Sequence, residues 1–258
     1  MARKIKFDNL AIVLHRPRYA GNIGSVARCA LNMGVSRIIV VDPRERDREL
    51  MIKMGTHFSA SLIDSIEYKD RLEEALGPFQ YVVGTTGRRG SSSLRKPILN
   101  PKAMARSLET VSQDNAVALL FGSEDRGLSN DDLRLCDMLV TIPTAARMRS
   151  INLSHAVMII LYEIFTTGGS DATEPLGALA TVAEREQMYD DLRDILIKIN
   201  FVNPENPEYW MAHLRRFFSR TVLYGKDVKV LRGICRQIDN YGKGRTRDIR
   251  LDNRGEDP

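Results

Sequence analysis

The chain has 258 residues, of which 43% are hydrophobic and 28% are charged, so it can bury a sizeable core and is not a disordered chain. Its formal net charge of +5 favours a polyanionic partner, nucleic acid before a membrane surface. The three cysteines are far apart in the sequence, which excludes a disulfide framework and a closely spaced zinc site. Because the first residues lack a signal-peptide pattern and no apolar run approaches transmembrane length, we expect a soluble cytoplasmic protein without a membrane partner.

Buried strands and amphipathic helices alternate in the first two thirds of the sequence. Residues 10–14 (LAIVL) and 37–41 (RIIVV) are continuous apolar runs, and the helical pattern between them ends at Gly34. This βαβ beginning predicts an α/β fold with a parallel sheet covered by helices on both faces. Further strands are predicted at 81–84, 116–121 and 138–142, and further helices at 44–55, at 69–76 and after Asn100, Ser129 and Asn152.

The stretch 142–163 joins a polar, arginine-bearing loop to a strongly apolar helix that Asn152 is expected to open. Two interpretations are open from the pattern alone. The stretch is either an ordinary connection between a strand and a helix, or a functional site held on a buried element.

The sequence after residue 167 differs in composition from the part before it. Residues 168–181 are rich in Gly, Pro and small side chains, which predicts a linker between a domain at 1–167 and a second domain. Residues 182–241 carry three amphipathic helical patterns, which predict a small all-α domain. Residues 242–258 are predicted to form a disordered basic tail.

Positive charge is concentrated in the C-terminal helices. Residues 209–250 contain eleven Lys or Arg and three Asp or Glu, a local excess of eight positive charges. Either this is a solvated basic face or it binds nucleic acid, and the nearby tyrosines favour nucleic acid. The predicted RNA-binding residues are Arg215, Arg216, Arg220, Lys226, Lys229 and Arg232, together with Arg88 and Arg89 in the basic loop after the strand at 81–84.

Four loops follow predicted strands, at 15–22, 84–93, 121–129 and 142–152. In an open parallel sheet the carboxyl ends of the strands form the edge where ligands bind. Glycines in these loops let backbone approach a flat ligand closely. The polar residues expected at this pocket are Asn22, Arg28, Glu124, Ser150 and Asn152.

Several common site types do not fit these loops. The sequence GNIGSVA at 21–27 lacks the dinucleotide fingerprint, and the Walker-like spacing at 122–129 has Leu128 where the phosphate-binding lysine belongs. Glu124 and Asp125 would also repel a triphosphate. No serine has the surroundings of a nucleophile elbow. The histidines lie in separate segments without metal-ligand spacing, so no metal site is predicted: His15, His57, His155 and His213.

Three segments taken together resemble the motifs of the SPOUT superfamily of RNA methyltransferases. Residues 22–28 (NIGSVAR) resemble the first motif, residues 121–128 (FGSEDRGL) the second, and residues 142–163 (IPTAARMRSINLSHAVMIILYE) the third. The order and spacing of all three match the superfamily. The resemblance covers the whole first domain.

The resemblance implies a deep trefoil knot around residues 121–165, a rare exception to the usual topology rules. It implies S-adenosylmethionine bound in a bent pose within the knot, and a homodimer in which Arg28 of one subunit reaches the cofactor of the other. The catalytic motif positions fall on Arg28, Asn22, Glu124, Ser150 and Asn152. The cofactor contacts fall on Thr85, Thr86, Gly87, Gly122, Ile142, Arg149, Ser150 and Ile151.

Within the superfamily, residues 215–220 (RRFFSR) and 230–234 (VLRGI) are similar to the C-terminal extension of members that methylate a tRNA ribose. Those members act on cytidine or uridine at position 32 of the anticodon loop. Two alternatives are left open. One is 2'-O-methylation at another tRNA site or of rRNA, and the other is an inactive RNA-binding protein with a degenerate catalytic domain.

The mechanism that the resemblance implies depends on alignment more than on acid catalysis. Arg28 is expected to fix a neighbouring phosphate and to polarise the 2'-hydroxyl group, because a guanidinium keeps its proton at neutral pH. The resemblance also allows Arg28 to act as the base. Ser150 and Asn152 are expected to orient the ribose.

Overall fold

The computed structural model describes residues 5–87, 98–145, 147, 150–167 and 177–242. Within these ranges seven strands form one sheet, in which all neighbouring strands run parallel in the order β3-β2-β1-β6-β4-β7-β5. The strands are β1 (Leu10–His15), β2 (Ile38–Val41), β3 (Glu67–Lys69), β4 (Tyr81–Thr85), β5 (Ile98–Leu99), β6 (Val117–Phe121) and β7 (Met138–Val140).

The described α-helices flank this sheet or follow it in the chain. They are α1 (Ala20–Asn32), α2 (Arg48–Gly55), α3 (Ala60–Asp64), α4 (Leu72–Leu76), α5 (Pro101–Val111), α6 (Asn130–Arg134), α7 (Leu153–Thr166), α8 (Val182–Lys198), α9 (Pro207–Phe218) and α10 (Gly225–Gly242). Short 3₁₀ helices lie at Phe7–Asn9 and His57–Ser59. In the described part of the chain, no helix is long and apolar enough to cross a membrane.

Both faces of the sheet are buried, as the continuous apolar strand patterns predict. In β1, Leu10, Ile12 and Leu14 point to one core, while Ala11 and Val13 point to the other. The first core is completed by α1, α5 and α7, and the second by α4, α6 and the start of α8. Because alternate strand residues face opposite sides, a strand buried on both faces must be apolar throughout. The predicted α/β fold is therefore confirmed; the trefoil knot stays a prediction.

Two predicted helices begin later than the sequence pattern indicates. The helix predicted at 44–55 begins at Arg48, because the side chain of Asp47 accepts the backbone N–H of Leu50 and caps that end. The helix predicted at 69–76 begins at Leu72, because Lys69 instead pairs with Val41 in the edge strand β3.

The C-terminal helices enclose a small core of their own and are joined by ion pairs. Arg215 on α9 makes two hydrogen bonds of 2.6 and 2.7 Å to Glu186 on α8. Arg232 on α10 bonds to Asp191 on α8 at 2.7 Å. The shared core contains Ala180, Met188, Tyr189, Met211 and Val228.

The beginning of α8 is fixed to the sheet domain. The backbone N–H of Val182 donates to the carbonyl of Phe79 at 2.9 Å, and Arg185 donates to both oxygens of Asp137 at 2.6 and 3.2 Å. In the predicted linker, the described residues 177–181 are also anchored, since Ala180 is fully buried. Residues 168–176 and the predicted tail from residue 243 lie outside the described residues. The division into domains stays a prediction.

Candidate active site

The carboxyl ends of β4, β6 and β7 surround a cavity of about 690 Å³. This cavity brings together the described members of the predicted cofactor set, which are Thr85, Thr86, Gly87, Gly122, Ile142, Ser150 and Ile151. Glu124 lines it as well. Arg149 lies outside the described residues, so its predicted contact stays a prediction.

Gly122 allows the chain to turn tightly at the mouth of this cavity. A Cβ atom at Gly122 would lie 2.2 Å from the carbonyl carbon of Gly127, so a larger residue would force the two segments apart. Gly127 has a φ of +66°, and its N–H donates to the carbonyl of Ser123 at 2.8 Å. The turn is thus built from backbone groups, as the close approach of a ligand requires.

Three polar residues from the three motifs form one hydrogen-bonded network. The side-chain amide of Asn22 donates to Glu124 at 2.8 Å, and Asn152 donates to the side-chain oxygen of Asn22 at 3.2 Å. The second oxygen of Glu124 accepts the backbone N–H of Arg18 at 2.8 Å. Asn152 also caps α7, as predicted, by accepting the backbone N–H of Ser154 at 2.9 Å.

A second carboxylate beside Glu124 is held in its charged form. Hydrogen bonds from Ser123 and Arg18 lower the pKa of Asp125 below its usual value, and they outweigh the opposing effect of desolvation. Glu124 and Asp125 both line the cavity. Asp125 is paired with Arg18, whereas Glu124 accepts, among the described residues, only from uncharged amide groups, so the Glu124 carboxylate is the group on this wall that favours a ligand with positive charge.

A second cavity, of about 520 Å³, adjoins the first one. The two cavities share Glu124, Ser150 and Ile151, while Asn22 and Asn152 line only the second. The other residues that line it carry no site signal in the sequence; they are Tyr19, Gly21, Glu45, Leu50 and Met54. Leu50 and Met54 lie on a helix with ordinary apolar spacing, which is indistinguishable in sequence from a face packed into the core.

Arg28 is not brought into either cavity. It is exposed on α1, and none of the described residues forms an ion pair with it. Its neighbour Cys29 faces the other way, toward the backbone carbonyl of Ser154 at 3.6 Å. Burial raises the pKa of the Cys29 thiol, although the charge of Arg28 acts in the opposite direction.

The predicted RNA-binding residues fall into three groups. Arg215 and Arg232 are held in the ion pairs described above. Among the described residues, no carboxylate forms an ion pair with any member of the second group, which comprises Arg216, Arg220, Lys226 and Lys229. Arg88 and Arg89 lie outside the described residues. In the described ranges, no group of His, Cys, Asp and Glu side chains could hold a metal ion.

Comparisons with known proteins agree with the arrangement of these motifs. The sequence model of the SpoU rRNA Methylase family matches residues 9–162. A second model, described as the C-terminal domain of the tRNA methyltransferase TrmJ, matches residues 183–250.

Individual relatives are similar over almost the whole chain. The tRNA (cytidine/uridine/adenosine-2'-O-)-methyltransferase TrmJ of Pseudomonas aeruginosa is 32% identical over 250 residues, which cover 92% of this chain and 96% of the relative. The tRNA (cytidine/uridine-2'-O-)-methyltransferase TrmJ of Sodalis glossinidius is 34% identical over 244 residues, which cover 92% of this chain and 94% of the relative. The crystal structure of TrmJ from Z. mobilis matches with a TM-score of 0.76 and 26% identity, covering 89% of this chain and 98% of that chain.

Proposed function

The chain belongs to the SpoU rRNA Methylase family, and we propose that it methylates a ribose 2'-hydroxyl group in tRNA with S-adenosylmethionine as the donor. One observation carries this proposal: the network of Asn22, Glu124 and Asn152 joins three motifs at the wall between two adjoining cavities. The choice of tRNA rests on the names of relatives that span 92% of the chain.

The larger cavity fits the methyl donor. Its volume lies within the range of about 300–1,000 Å³ that is typical of small-molecule sites. Apolar residues such as Ile142 and Leu153 line one part, and the turn at residues 122–127 lines another. S-adenosylmethionine supplies an electrophilic methyl group on a positively charged sulfur. The carboxylate of Glu124, which no described cation neutralises, suits this charge.

The smaller cavity would hold the acceptor nucleotide. An acceptor there would lie against Asn22 and Asn152 and would share Ser150 with the donor cavity. The hydrogen bonds that fix both asparagine amides hold their orientation before the RNA arrives. Such fixed polar groups lower the barrier by aligning the attacking oxygen rather than by transferring a proton.

Arg28 would act from the other subunit of a homodimer. The helices α1 and α7, which pack against each other, expose four large apolar side chains, which are Leu31, Ile159, Tyr162 and Phe165. A second copy bound to this face would cover them and would bring its own helix α1 with it. Arg28 would then fix a phosphate of the acceptor strand and polarise the hydroxyl group.

The C-terminal helices would hold the body of the tRNA. Arg216, Arg220 and Lys229 are available for phosphates, because no described carboxylate neutralises them. The modified position, expected at cytidine or uridine 32, stays a prediction from the sequence resemblance, and so does a cytoplasmic location.

The proposal is tested by incubating the full chain with S-adenosylmethionine labelled in its methyl group. One reaction receives tRNA that lacks the modification, and another receives unmodified rRNA, because the matched family is described as rRNA methylases. We expect one labelled 2'-O-methyl ribose in tRNA. Label in rRNA alone would establish the second candidate function, and donor binding without transfer to either RNA would indicate an inactive protein.

A further inference from the structure

Four aromatic rings meet on the exposed surface of the C-terminal helices. Trp210 lies 5.5 Å from Phe201, 6.0 Å from Tyr209 and 6.4 Å from His213 between ring centroids, and Tyr209 and His213 are 4.6 Å apart. We call Phe201, Tyr209, Trp210 and His213 the ring cluster. Phe201 is 58% exposed, Tyr209 57% and Trp210 40%, so these rings are not part of the core.

A hydrogen bond orients one ring of the ring cluster, His213. The Nδ1 atom of His213 lies 2.8 Å from the carbonyl oxygen of Tyr209 and must donate to it, since a carbonyl oxygen only accepts. This bond orients the imidazole beside the Tyr209 ring. The opposite face of α9 anchors the helix through Met211, which is buried, and Phe218. The exposed rings therefore project from a helix whose other side is packed.

Positive charge continues along the same exposed face of α9. Tyr209, His213 and Arg216 follow one another at intervals of four and three residues, and residues at this spacing lie on one face of a helix. Arg220 follows just beyond the helix end. Neither arginine has an ion-pair partner among the described residues, unlike Arg215, which Glu186 neutralises.

We propose that the ring cluster stacks unpaired bases of the RNA substrate while Arg216 and Arg220 hold the adjoining phosphates. Aromatic faces accept any base, and arginines beside them bind the backbone, which is the combination that single-stranded nucleic acid requires. This inference rests on the proposed function, because it assigns to α9 the loop nucleotides of the same tRNA. It adds a contact to bases, whereas a basic surface alone would hold only phosphates.

Trp210 provides the test, because it is the only tryptophan in the chain. Unmodified tRNA and single-stranded oligouridylate are each added to the full chain, and both tryptophan fluorescence and RNA anisotropy are recorded. We expect both RNAs to quench Trp210 as they bind. A blunt RNA duplex of equal charge is expected to bind without equal quenching, because its bases are already stacked.

Variants separate base stacking from phosphate binding. Tyr209→Ala should weaken tRNA binding about 5- to 150-fold, the effect of losing one stacked base, and should leave its salt dependence unchanged. Tyr209→Phe keeps the ring and should restore binding. Arg216→Ala should reduce the slope of log affinity against log salt by about one. Phe58→Ala, which removes an exposed ring in the sheet domain, is the matched control and should not change binding.

Two results would overturn the inference while the proposed function stands. One is methylation of tRNA by the wild-type protein without quenching of Trp210 in the complex. The other is an unchanged affinity for tRNA in Tyr209→Ala. If tRNA quenches Trp210 but receives no methyl group, the proposed function fails instead.

Discussion

The side-chain amide of Asn22 donates a 2.8 Å hydrogen bond to Glu124, which lies 102 residues further along the chain. Glu124 also accepts the backbone N–H of Arg18, and Asn22 also accepts the amide of Asn152. Each member of this network therefore fixes the orientation of another. A change in one of them should displace the wall that the two cavities share.

Glu124→Gln should reduce kcat for methyl transfer by about 10- to 100-fold, as expected for a small misplacement of aligned groups. Arg18 and Asn22 donate to different oxygens of Glu124, and the substitution replaces one of these oxygens with an NH2 group, which cannot accept a hydrogen bond. Affinity for S-adenosylmethionine, measured by calorimetry, should fall as well, because the substitution removes a negative charge from the donor cavity. Glu49→Gln, on the exposed side of α2, is the control. An unchanged kcat in Glu124→Gln would show that the hydrogen bonds of Glu124 do not contribute to methyl transfer.

Arg28→Ala should abolish methyl transfer while donor binding survives, because Arg28 lines neither cavity of its own subunit. A mixture of Arg28→Ala and Asn152→Ala subunits tests whether Arg28 acts on its partner. If it does, a mixed dimer contains one site with both residues intact and regains part of the activity. Failure to regain activity in proven mixed dimers would contradict action between subunits.

Tyr19→Ala should weaken binding of the acceptor nucleotide, because Tyr19 is an exposed aromatic ring at the smaller cavity. The KM for tRNA should rise about 5- to 150-fold, the range for one stacked base, with little change in donor affinity. A tRNA that lacks the acceptor base should be used equally well by Tyr19→Ala and by the wild type. A persistent difference on that tRNA would show that Tyr19 does not contact the base. Ser61→Ala, exposed on α3, is the control.

Gly122→Ala should lower the free energy of unfolding by about 1–3 kcal/mol, the usual effect of overpacking. The new Cβ would lie 2.2 Å from the backbone of Gly127, and that backbone lines the donor cavity. Donor affinity should fall as well. Gly233→Ala is the matched control, because a Cβ at this helical position meets no atom within 4 Å. Equal stability of both variants, measured by urea unfolding, would contradict the close approach of Gly122 to the backbone of Gly127.

Asp132 should contribute to stability near neutral pH, and this contribution should be lost in acid. Desolvation raises its pKa, but hydrogen bonds from His15 and Ser129 outweigh this effect, so the pKa is lowered overall. A lowered folded-state pKa means that the contribution is complete above the unfolded value of about 4 and is lost as the pH falls through the folded value. Stability measured from pH 6 to pH 2 should therefore fall more steeply for the wild type than for Asp132→Asn. If the stability of both proteins fell with the same slope against pH, Asp132 would not contribute to the pH dependence.

Three helix starts with local capping signals could be predicted from the sequence, whereas the equally local cap at Asp47 was not recognised. Asn100, Ser129 and Asn152 all cap helices as their patterns indicate, because each bond reaches only two or three residues along the chain. The edge strands β3 and β5 were not predicted, since three and two residues are too few to establish a period.

Contacts between residues that are far apart in the sequence could not be predicted from local patterns. The charge pattern treats Arg215 and Arg232 like their neighbours and does not show that Glu186 and Asp191 pair with them from 29 and 41 residues away. The RNA-binding role of both arginines stays a prediction. No local pattern distinguishes Arg215 from Arg216. The motif residues could be assigned from the resemblance, whereas the apolar side of the smaller cavity depends on how α2 packs against α1.

The bonds of Arg185 to Asp137 join α8 to the residue immediately before β7, one of the strands at the donor cavity. Because α9 and α10 are tied to α8 by their own ion pairs, the ring cluster and the cavity are parts of one connected body. A tRNA bound at both the ring cluster and the cavity would be methylated at the nucleotide that reaches the cavity. The separation between that nucleotide and the bases stacked on the ring cluster would therefore select the modified position.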